Sequence, residues 1–385
     1  MGLCIGNFNN SILPNSVKDA IGADIPQYGV KFDGTNSAGI RTYDASSLRW
    51  DRSSNTIAGI DDFKNLAPFN VKECVTRYNS DTNSREVLAY STDSNYAEAI
   101  PQGDVMIEVP SFWYKRPSRN EFIIAPSYKE GFSPSPWHYR KGVMKDFCRI
   151  SKYQIGSGYV SKTGVATLAN TPMNTIRTNF RAKGWYMLDH TAWYSMLMLM
   201  LVKYANMDFQ ATVSAGRNSG NATISSGGAD NVLGLDGSAT SVSANEASKT
   251  FGIENFYCNA WNYLDGMYGY GGHIYIKDVE DMVNDPTSTT DLNTYTQLSV
   301  TYPTNGNNSS ISQIAFNSDY DYLMYPTAIG TPSPSHDNMW STSNLDLVAV
   351  GGSAWASGSS GGFSFAVYSA VGSSDASCGC FAQEI

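Results

Sequence analysis

Short apolar segments bounded by turn-forming residues make up most of this chain. Residues 105–110 and 112–115 predict two strands separated by a proline break. Residues 345–350 predict another strand, and residues 320–326 a strand that enters a turn. Near the end of the chain, Phe363 and Phe365 alternate as strand residues that face one side. The pattern therefore favours a fold with many short strands.

Only residues 190–206 have a clear helical period. Asp189 precedes this segment and is expected to be the N-cap. The apolar residues recur at spacings of three and four: Trp193, Met196, Leu197, Met200 and Leu201. The segment is apolar on nearly all sides, which predicts a helix packed inside a domain rather than a partner or cofactor groove.

These elements predict an α+β protein with a small first region and one large domain. Residues 1–58 are expected to form a β-rich attachment or oligomerisation region. Residues 59–385 form the main domain, with a β-rich first half at 59–180 and a core at 181–385. Within the main domain, residues 211–250 are rich in Ser, Gly, Ala and Asn, which predicts a long loop.

Composition excludes several classes of partner. The chain has 385 residues, a net charge of -9 and no basic stripe, which argues against nucleic acid and anionic membrane surfaces. The start MGLCIGNFNN lacks the basic and apolar regions of a secretory signal. The most apolar run, at 192–202, is too short to span a bilayer. We expect neither a signal peptide nor membrane insertion.

Residues with catalytic or metal-binding chemistry are sparse. The histidines, none in a zinc-hydrolase spacing, are His138, His190, His273 and His336. The cysteines, expected to be free thiols, are Cys4, Cys74, Cys148, Cys258, Cys378 and Cys380. A metal or redox pair at Cys378 and Cys380 would need further ligands or a base at hand, and we interpret the two as ordinary free thiols. We expect no metal, no cofactor and no catalytic residue.

Acidic pairs leave three alternatives open. Asp319 with Asp321, or Glu280 with Asp281, could act as the acid and base of a glycosidase, bind calcium, or be solvated. Spacing alone does not choose among these alternatives. The segment 261–263 is the nearest approach to the calcium-dependent sugar motifs of animal lectins, and it lacks their Asp.

The last forty residues combine glycines and aromatic residues with many small side chains. The fixed positions of this pattern are Gly351, Gly352, Trp355, Gly358, Gly361, Phe363 and Gly379. Upstream, residues 252–255 read Gly-Ile-Glu-Asn, followed by Trp261 and Asp265-Gly266. Both segments resemble the variable proteins of diversity-generating retroelements, such as the tropism determinants of phage tails. The resemblance extends over residues 28–385.

This resemblance implies a C-type lectin fold, the architecture also used by formylglycine-generating enzymes. It implies a receptor-binding protein at a phage tail tip or fibre, often a homotrimer, that adsorbs to a bacterial host. Its partners would be a host-surface protein or glycan and other virion tail proteins. Two positions depart from the pattern: Cys258 stands where the family has Gly, and Phe381 stands near the usual Arg.

The resemblance also implies which side chains vary and bind ligand within residues 345–385. They are Ser353, Ala354, Ala356, Ser357, Ser359, Ser360, Ser364, Ala366, Tyr368, Ala370, Ser373, Ser374, Asp375 and Ser377. Exposed side chains on a rigid frame can change at little cost to folding. Because Ser and Ala bury little area, we expect modest affinity per site, compensated by avidity in a trimer. The alternatives are a tail-associated glycan-degrading enzyme and a purely structural tail protein.

Overall fold

The computed structural model describes residues 25–220, 222–317, 319–351 and 358–385. About 12 % of the chain is helical and 34 % is strand, and one sheet curls into a half-barrel. The fold is thus of the α+β class, with more strand than helix, as the pattern of short apolar segments predicts. Among the helices of the described residues, none combines the length and apolar character needed to cross a bilayer.

The described strands form five sheets. The five-stranded sheet contains, in spatial order, β2 (Ile40–Tyr43), β1 (Tyr28–Lys31), β7 (Glu121–Ala125), β6 (Trp113–Ser118) and β8 (Ser133–Pro134). The six-stranded sheet contains β12 (Tyr186–Met187), β25 (Ala382–Glu384), β11 (Phe147–Ser151), β5 (Asp104–Pro110), β3 (Lys72–Asn79) and β4 (Ser84–Tyr90). Two small sheets contain β9 (Tyr139–Arg140) with β10 (Val143–Met144), and β13 (Gly237–Ser238) with β14 (Ser248–Thr250) and β15 (Ile253–Glu254).

The fifth sheet has nine strands and carries the C-terminal segment. Its order is β18 (Thr296–Thr301), β17 (His273–Ile276), β16 (Trp261–Tyr270), β22 (Asp346–Val350), β23 (Phe365–Ala370), β21 (Asn338–Ser341), β19 (Ser309–Ile314) and β20 (Pro326–Ile329). The ninth strand, β24 (Cys378–Gly379), pairs with β16 in parallel. The strands β21 and β23 are also parallel, which brings Trp340 beside Ala366.

The helices are few, and one of them is central. They are α1 (Tyr96–Ala99), α2 (Met173–Arg181), α3 (His190–Tyr204) and α4 (Phe209–Thr212). The carboxylate of Asp189 accepts a hydrogen bond from the backbone N–H of Ala192 at 2.9 Å, so the predicted N-cap of α3 is confirmed. All fifteen residues of α3 are buried. A helix that is apolar on nearly all sides has no face to leave in water, and it lies inside the domain as predicted.

Three predicted strands are confirmed and two predictions are wrong. The strands β5 and β6 cover those predicted at 105–110 and 112–115, and β22 covers the one predicted at 345–350. Phe363, predicted to be a strand residue like Phe365, lies in a turn before β23. The strand predicted at 320–326 is wrong, because residues 320–325 form a turn and irregular chain and β20 begins only at Pro326. Aromatic enrichment predicted a strand there, but the turn buries Tyr322 and Tyr325 without strand pairing.

The described part of the first region does not stand apart from the main domain. The strand β1 pairs with β7, so it lies inside a sheet of the large domain. Trp50 donates a hydrogen bond to the carboxylate of Asp236 at 3.1 Å. Residues of 25–58 therefore share a sheet and a hydrophobic core with residues after 58. The rest of that region lies outside the described residues.

A buried ion-pair network braces β16 against α2. The guanidinium of Arg177 donates to Asp265 and to Asp285, each at 2.6 Å, and all three side chains are buried. Gly266 follows with a φ of +71°, and a side chain there would meet the carbonyl oxygen of Lys277. The Asp-Gly pair at 265–266 thus has a structural role: it fixes β16, which carries Trp261.

Candidate ligand-binding cleft

Strand β23 alternates between buried and accessible side chains. Phe365 and Val367 are buried, whereas Ala366 is half-buried and Tyr368 is 63 % exposed. Successive side chains of a strand point to opposite faces, so the buried pair holds the strand on the core. The accessible residues therefore lie on the outer face, and Ala370 follows them.

The outer face of β23 forms one wall of a cleft of about 200 Å³, which we call the aromatic cleft. Its lining residues are Trp261, Trp340, Ala349, Ala366, Tyr368, Ser369, Asp375, Ser377 and Cys378. Four of them, Ala366, Tyr368, Asp375 and Ser377, are predicted variable positions. The fold thus brings residues of the C-terminal segment together with two tryptophans from elsewhere in the chain.

The depth of the aromatic cleft follows from side-chain size. Trp261 and Trp340 pack edge to face with ring centroids 5.2 Å apart, at an interplanar angle of 81°. Between their strands, Ala349 of β22 pairs with Ala366 of β23. Two alanines leave space where larger side chains would fill the surface. The result is an apolar floor beside aromatic walls, with the exposed ring of Tyr368 at the edge.

The polar side of the aromatic cleft comes from the segment after β23. The carboxylate of Asp375 accepts hydrogen bonds through Oδ1 from the backbone N–H of Ser377 at 2.7 Å and from its hydroxyl at 2.5 Å. The backbone carbonyl of Asp375 accepts from Asn170 N–H at 3.0 Å, which ties this segment to the core. Local Asx turns of this kind hold polar side chains at a surface without secondary structure.

Two predicted ligand-binding positions are wrong, because Ser360 and Ser364 are buried and cannot face a ligand. The hydroxyl of Ser364 accepts a hydrogen bond from Gly361 N–H at 2.9 Å. The carbonyl of Ser360 accepts from the amide of Gln210 at 3.1 Å. The carboxylate of Asp337 accepts from Phe363 N–H at 2.8 Å, and burial raises its pKa well above the ordinary range. The residues just before β23 therefore fold around the buried carboxyl group of Asp337.

The other predicted positions fall into two groups. Four of them are exposed or half-buried and do not line the aromatic cleft: Ala370, Ser373, Ser374 and Ser359. The remaining ones lie outside the described residues, together with two frame positions: Ser353, Ala354, Ala356, Ser357, Gly352 and Trp355.

Three of the predicted frame positions have clear steric or packing reasons. Gly351 has a φ of +86°, and a side chain there would lie 2.8 Å from the ring of Trp193. Phe363 stacks on Phe209 with centroids 5.7 Å apart. Gly379 is buried in β24, where a side chain would press on Ala260 at 3.2 Å. Gly358 is exposed with a φ of +85°, which suits a turn.

The final residues are anchored without the arginine of the resembling family. Phe381 is buried and packs beside Phe256, with ring centroids 6.1 Å apart. The carboxylate of Glu384 pairs with Arg85 at 2.9 Å and with Arg149 at 3.0 Å. An aromatic contact and two ion pairs thus hold β25 in the six-stranded sheet.

Trp340 is a cleft residue that sequence reasoning missed. It lies on β21, where Met339 before it is buried and Trp340 itself is half-exposed. An aromatic residue on the outer side of an alternating strand is a usable signal for a binding surface. Its partner Trp261 was part of the upstream pattern, but only strand pairing places the two rings together.

The candidate catalytic groups are engaged elsewhere or stand apart. The described cysteines are all free and buried, and burial raises the pKa of the Cys378 thiol to about 12. Asp321 accepts a hydrogen bond from the hydroxyl of Tyr114 at 2.5 Å, whereas Asp319 is exposed. Asp281 pairs with Lys141 at 2.9 Å. Within the described ranges, no group of three or more His, Cys, Asp or Glu converges to hold a metal ion.

Comparison with known proteins identifies no relative: no protein-family model matches the sequence, and no curated protein matches it.

Proposed function

We propose that this protein is a ligand-binding protein rather than an enzyme, and that the aromatic cleft and its surrounding C-terminal surface are its ligand site. In this proposal it is a C-type-lectin-like variable protein of the diversity-generating retroelement type. It would serve as a receptor-binding protein on a phage tail, in trimeric form, and recognise a host-surface protein or glycan.

The observation that carries the proposal is the aromatic cleft itself. Positions that the pattern of glycines and aromatic residues predicts to be variable form one wall of the aromatic cleft. The opposite side of the cleft contains two tryptophans that are only half-buried. Because burying such large apolar side chains would stabilise the fold, their exposure favours a ligand-binding role. Aromatic side chains at the centre of a contact supply most of the affinity in many interfaces.

The placement of constant and changeable residues on different segments around the aromatic cleft also supports the proposal. Trp261 and Trp340 belong to strands of the rigid sheet, and they can supply constant binding energy. Tyr368 and Asp375 are exposed on the C-terminal segment, where substitution leaves the core intact. A fixed aromatic site beside changeable side chains would retain a class of ligand while the specificity changes.

Deep sequencing of the gene's 3′ end across a growing natural population tests the proposal. We expect substitutions at Ala366, Tyr368 and Ala370, with the intervening Phe365 and Val367 unchanged, because only the outer face of β23 tolerates them.

The same data include an internal control. Ser360 and Ser364 are small and lie in the same segment, yet both are buried and should remain constant. Changes that fall evenly along the gene, or that strike Ser364 as often as Tyr368, would refute a diversified binding surface.

A further inference from the structure

A second cleft, of about 310 Å³, opens where α3 begins, and we call it the histidine cleft. Its lining comes from distant parts of the chain and includes Tyr139, His190, Asp278, Tyr320 and Tyr322. It shares no lining residue with the aromatic cleft. Because neither the variable positions nor the frame residues reach it, this cleft requires its own explanation.

His190 is the unusual group in this cleft. The residue is 3 % exposed, and within the part of the chain that the structure describes its buried ring Nδ1 has no hydrogen-bond partner. By contrast, the equally buried His138 has both nitrogens engaged, by Ser135 at 2.9 Å and by the carbonyl of Val109 at 3.1 Å. A buried polar atom without a partner is costly, by about 1–3 kcal/mol, unless something else satisfies it.

The ionic groups of the histidine cleft neutralise one another. Arg140 pairs with Asp189 at 2.7 Å and with Asp278 at 3.3 Å, and Lys141 pairs with Asp281 at 2.9 Å. The remaining cation, Lys277, donates to the hydroxyl of Thr294 at 3.3 Å. Burial lowers the pKa of His190 to about 4, so the imidazole is neutral at physiological pH. The cleft therefore offers little net charge to an ionic ligand.

The groups left free suit a neutral, hydroxyl-bearing ligand. The ring of Tyr322 lies 6.0 Å from that of His190, and both residues line the cleft. Tyr320 lies half-exposed beside it, with ring centroids 6.5 Å apart. Tyrosine rings present apolar faces, the imidazole and the phenol can donate or accept hydrogen bonds, and the second carboxylate oxygen of Asp278 can accept them.

From this combination we propose that the histidine cleft is a binding site for a neutral saccharide. A sugar ring has C–H faces that pack on tyrosine rings and hydroxyls that both donate and accept hydrogen bonds. It would satisfy His190 and contact Tyr322 without bringing a charge into a cleft whose acidic and basic groups balance one another. The inference does not depend on the function proposed for the aromatic cleft.

The test uses the full chain on an array of neutral glucose-, galactose- and mannose-containing oligosaccharides beside sialylated and sulfated ones. We expect binding to a neutral oligosaccharide. Tyr322→Phe removes only the hydroxyl and should weaken that binding about tenfold, as the loss of one buried hydrogen bond predicts. Tyr320→Ala removes a stacking face and should weaken it further. Tyr270→Phe, at the exposed end of β16 and outside both clefts, is the matched control and should bind normally.

Histidine-selective ¹⁵N labelling gives an independent readout. The ring signals of His190 should shift when the bound oligosaccharide is added, and those of His138 should not. The proposal is overturned if no neutral oligosaccharide binds, or if only charged ones do. It is also overturned if Trp340→Ala abolishes neutral-glycan binding while Tyr322→Phe does not, because the sugar would then occupy the aromatic cleft.

Discussion

Glu254 gives a prediction whose size can be calculated from its surroundings. Its carboxylate is buried and accepts hydrogen bonds from the backbone N–H groups of Gly227 at 2.9 Å and Ala229 at 2.8 Å. The nearby cation, Lys152, is already paired with Glu73 at 3.1 Å and with Asp230 at 3.0 Å. Burial is therefore the main cause that raises the pKa of Glu254 from 4.5 to about 7.

The raised pKa couples folding to pH with a defined sign. Between pH 4.5 and about 7 the folded chain keeps a proton on Glu254 that the unfolded chain releases. The stabilisation from this group is thus complete below pH 4.5 and is lost as the pH rises through about 7. A shift of this size corresponds to about 3 kcal/mol in the free energy of unfolding. Glu254→Gln keeps the side-chain shape and cannot ionise, so it removes this dependence.

Urea unfolding followed by tryptophan fluorescence, at pH 5 and at pH 8, measures the effect. Between these two pH values we expect the free energy of unfolding to fall by about 3 kcal/mol more in the wild type than in Glu254→Gln. Glu98→Gln, at an exposed position on α1, should behave like the wild type. If Glu254→Gln and the wild type give parallel pH profiles, Glu254 is ionised in the folded protein and the reasoning is wrong.

Three further predictions concern the scaffold. Arg177→Met leaves the buried carboxylate of Asp265 unpaired and should cost about 3–5 kcal/mol in urea unfolding; a cost below about 1 kcal/mol would mean that the network is not stabilising. Gly351→Ala forces a side chain onto a positive φ and the ring of Trp193, and a calorimetric loss of about 1–3 kcal/mol is expected. Ser364→Tyr should prevent stable folding, whereas Tyr368→Ser should change stability by less than about 0.5 kcal/mol; similar effects of the two in thermal unfolding would contradict the burial pattern.

The local elements were predictable because their causes are local. The apolar run of α3 and its Asp189 cap lie within one stretch of chain, so the helix and its start followed from the sequence. The strands β5 and β22 were predictable in the same way, since β-propensity and proline breaks act over a few residues. Small residues around a few aromatics also indicated that the C-terminal segment carries a surface.

What the sequence could not decide is which of those small residues face water. Ser364 and Tyr368 both occupy predicted variable positions next to an apolar residue, yet one is buried and the other exposed. The difference comes from Asp337, a distant residue around which the chain before β23 folds. Burial of a serine depends on such long-range contacts and leaves no local pattern.

The sequence by itself determined the α+β class, the central helix and the part of the chain expected to bind ligand. Only the tertiary structure decided where the clefts lie, because each is assembled from segments that are far apart in sequence. Parallel pairing of β21 with β23 and of β24 with β16 places Trp340 and Trp261 beside Tyr368. Likewise, His190 meets Tyr322 only because the turn after residue 319 packs over the start of α3. Periodicity and capping report on neighbours along the chain, whereas a concave site is set by packing between neighbours in space.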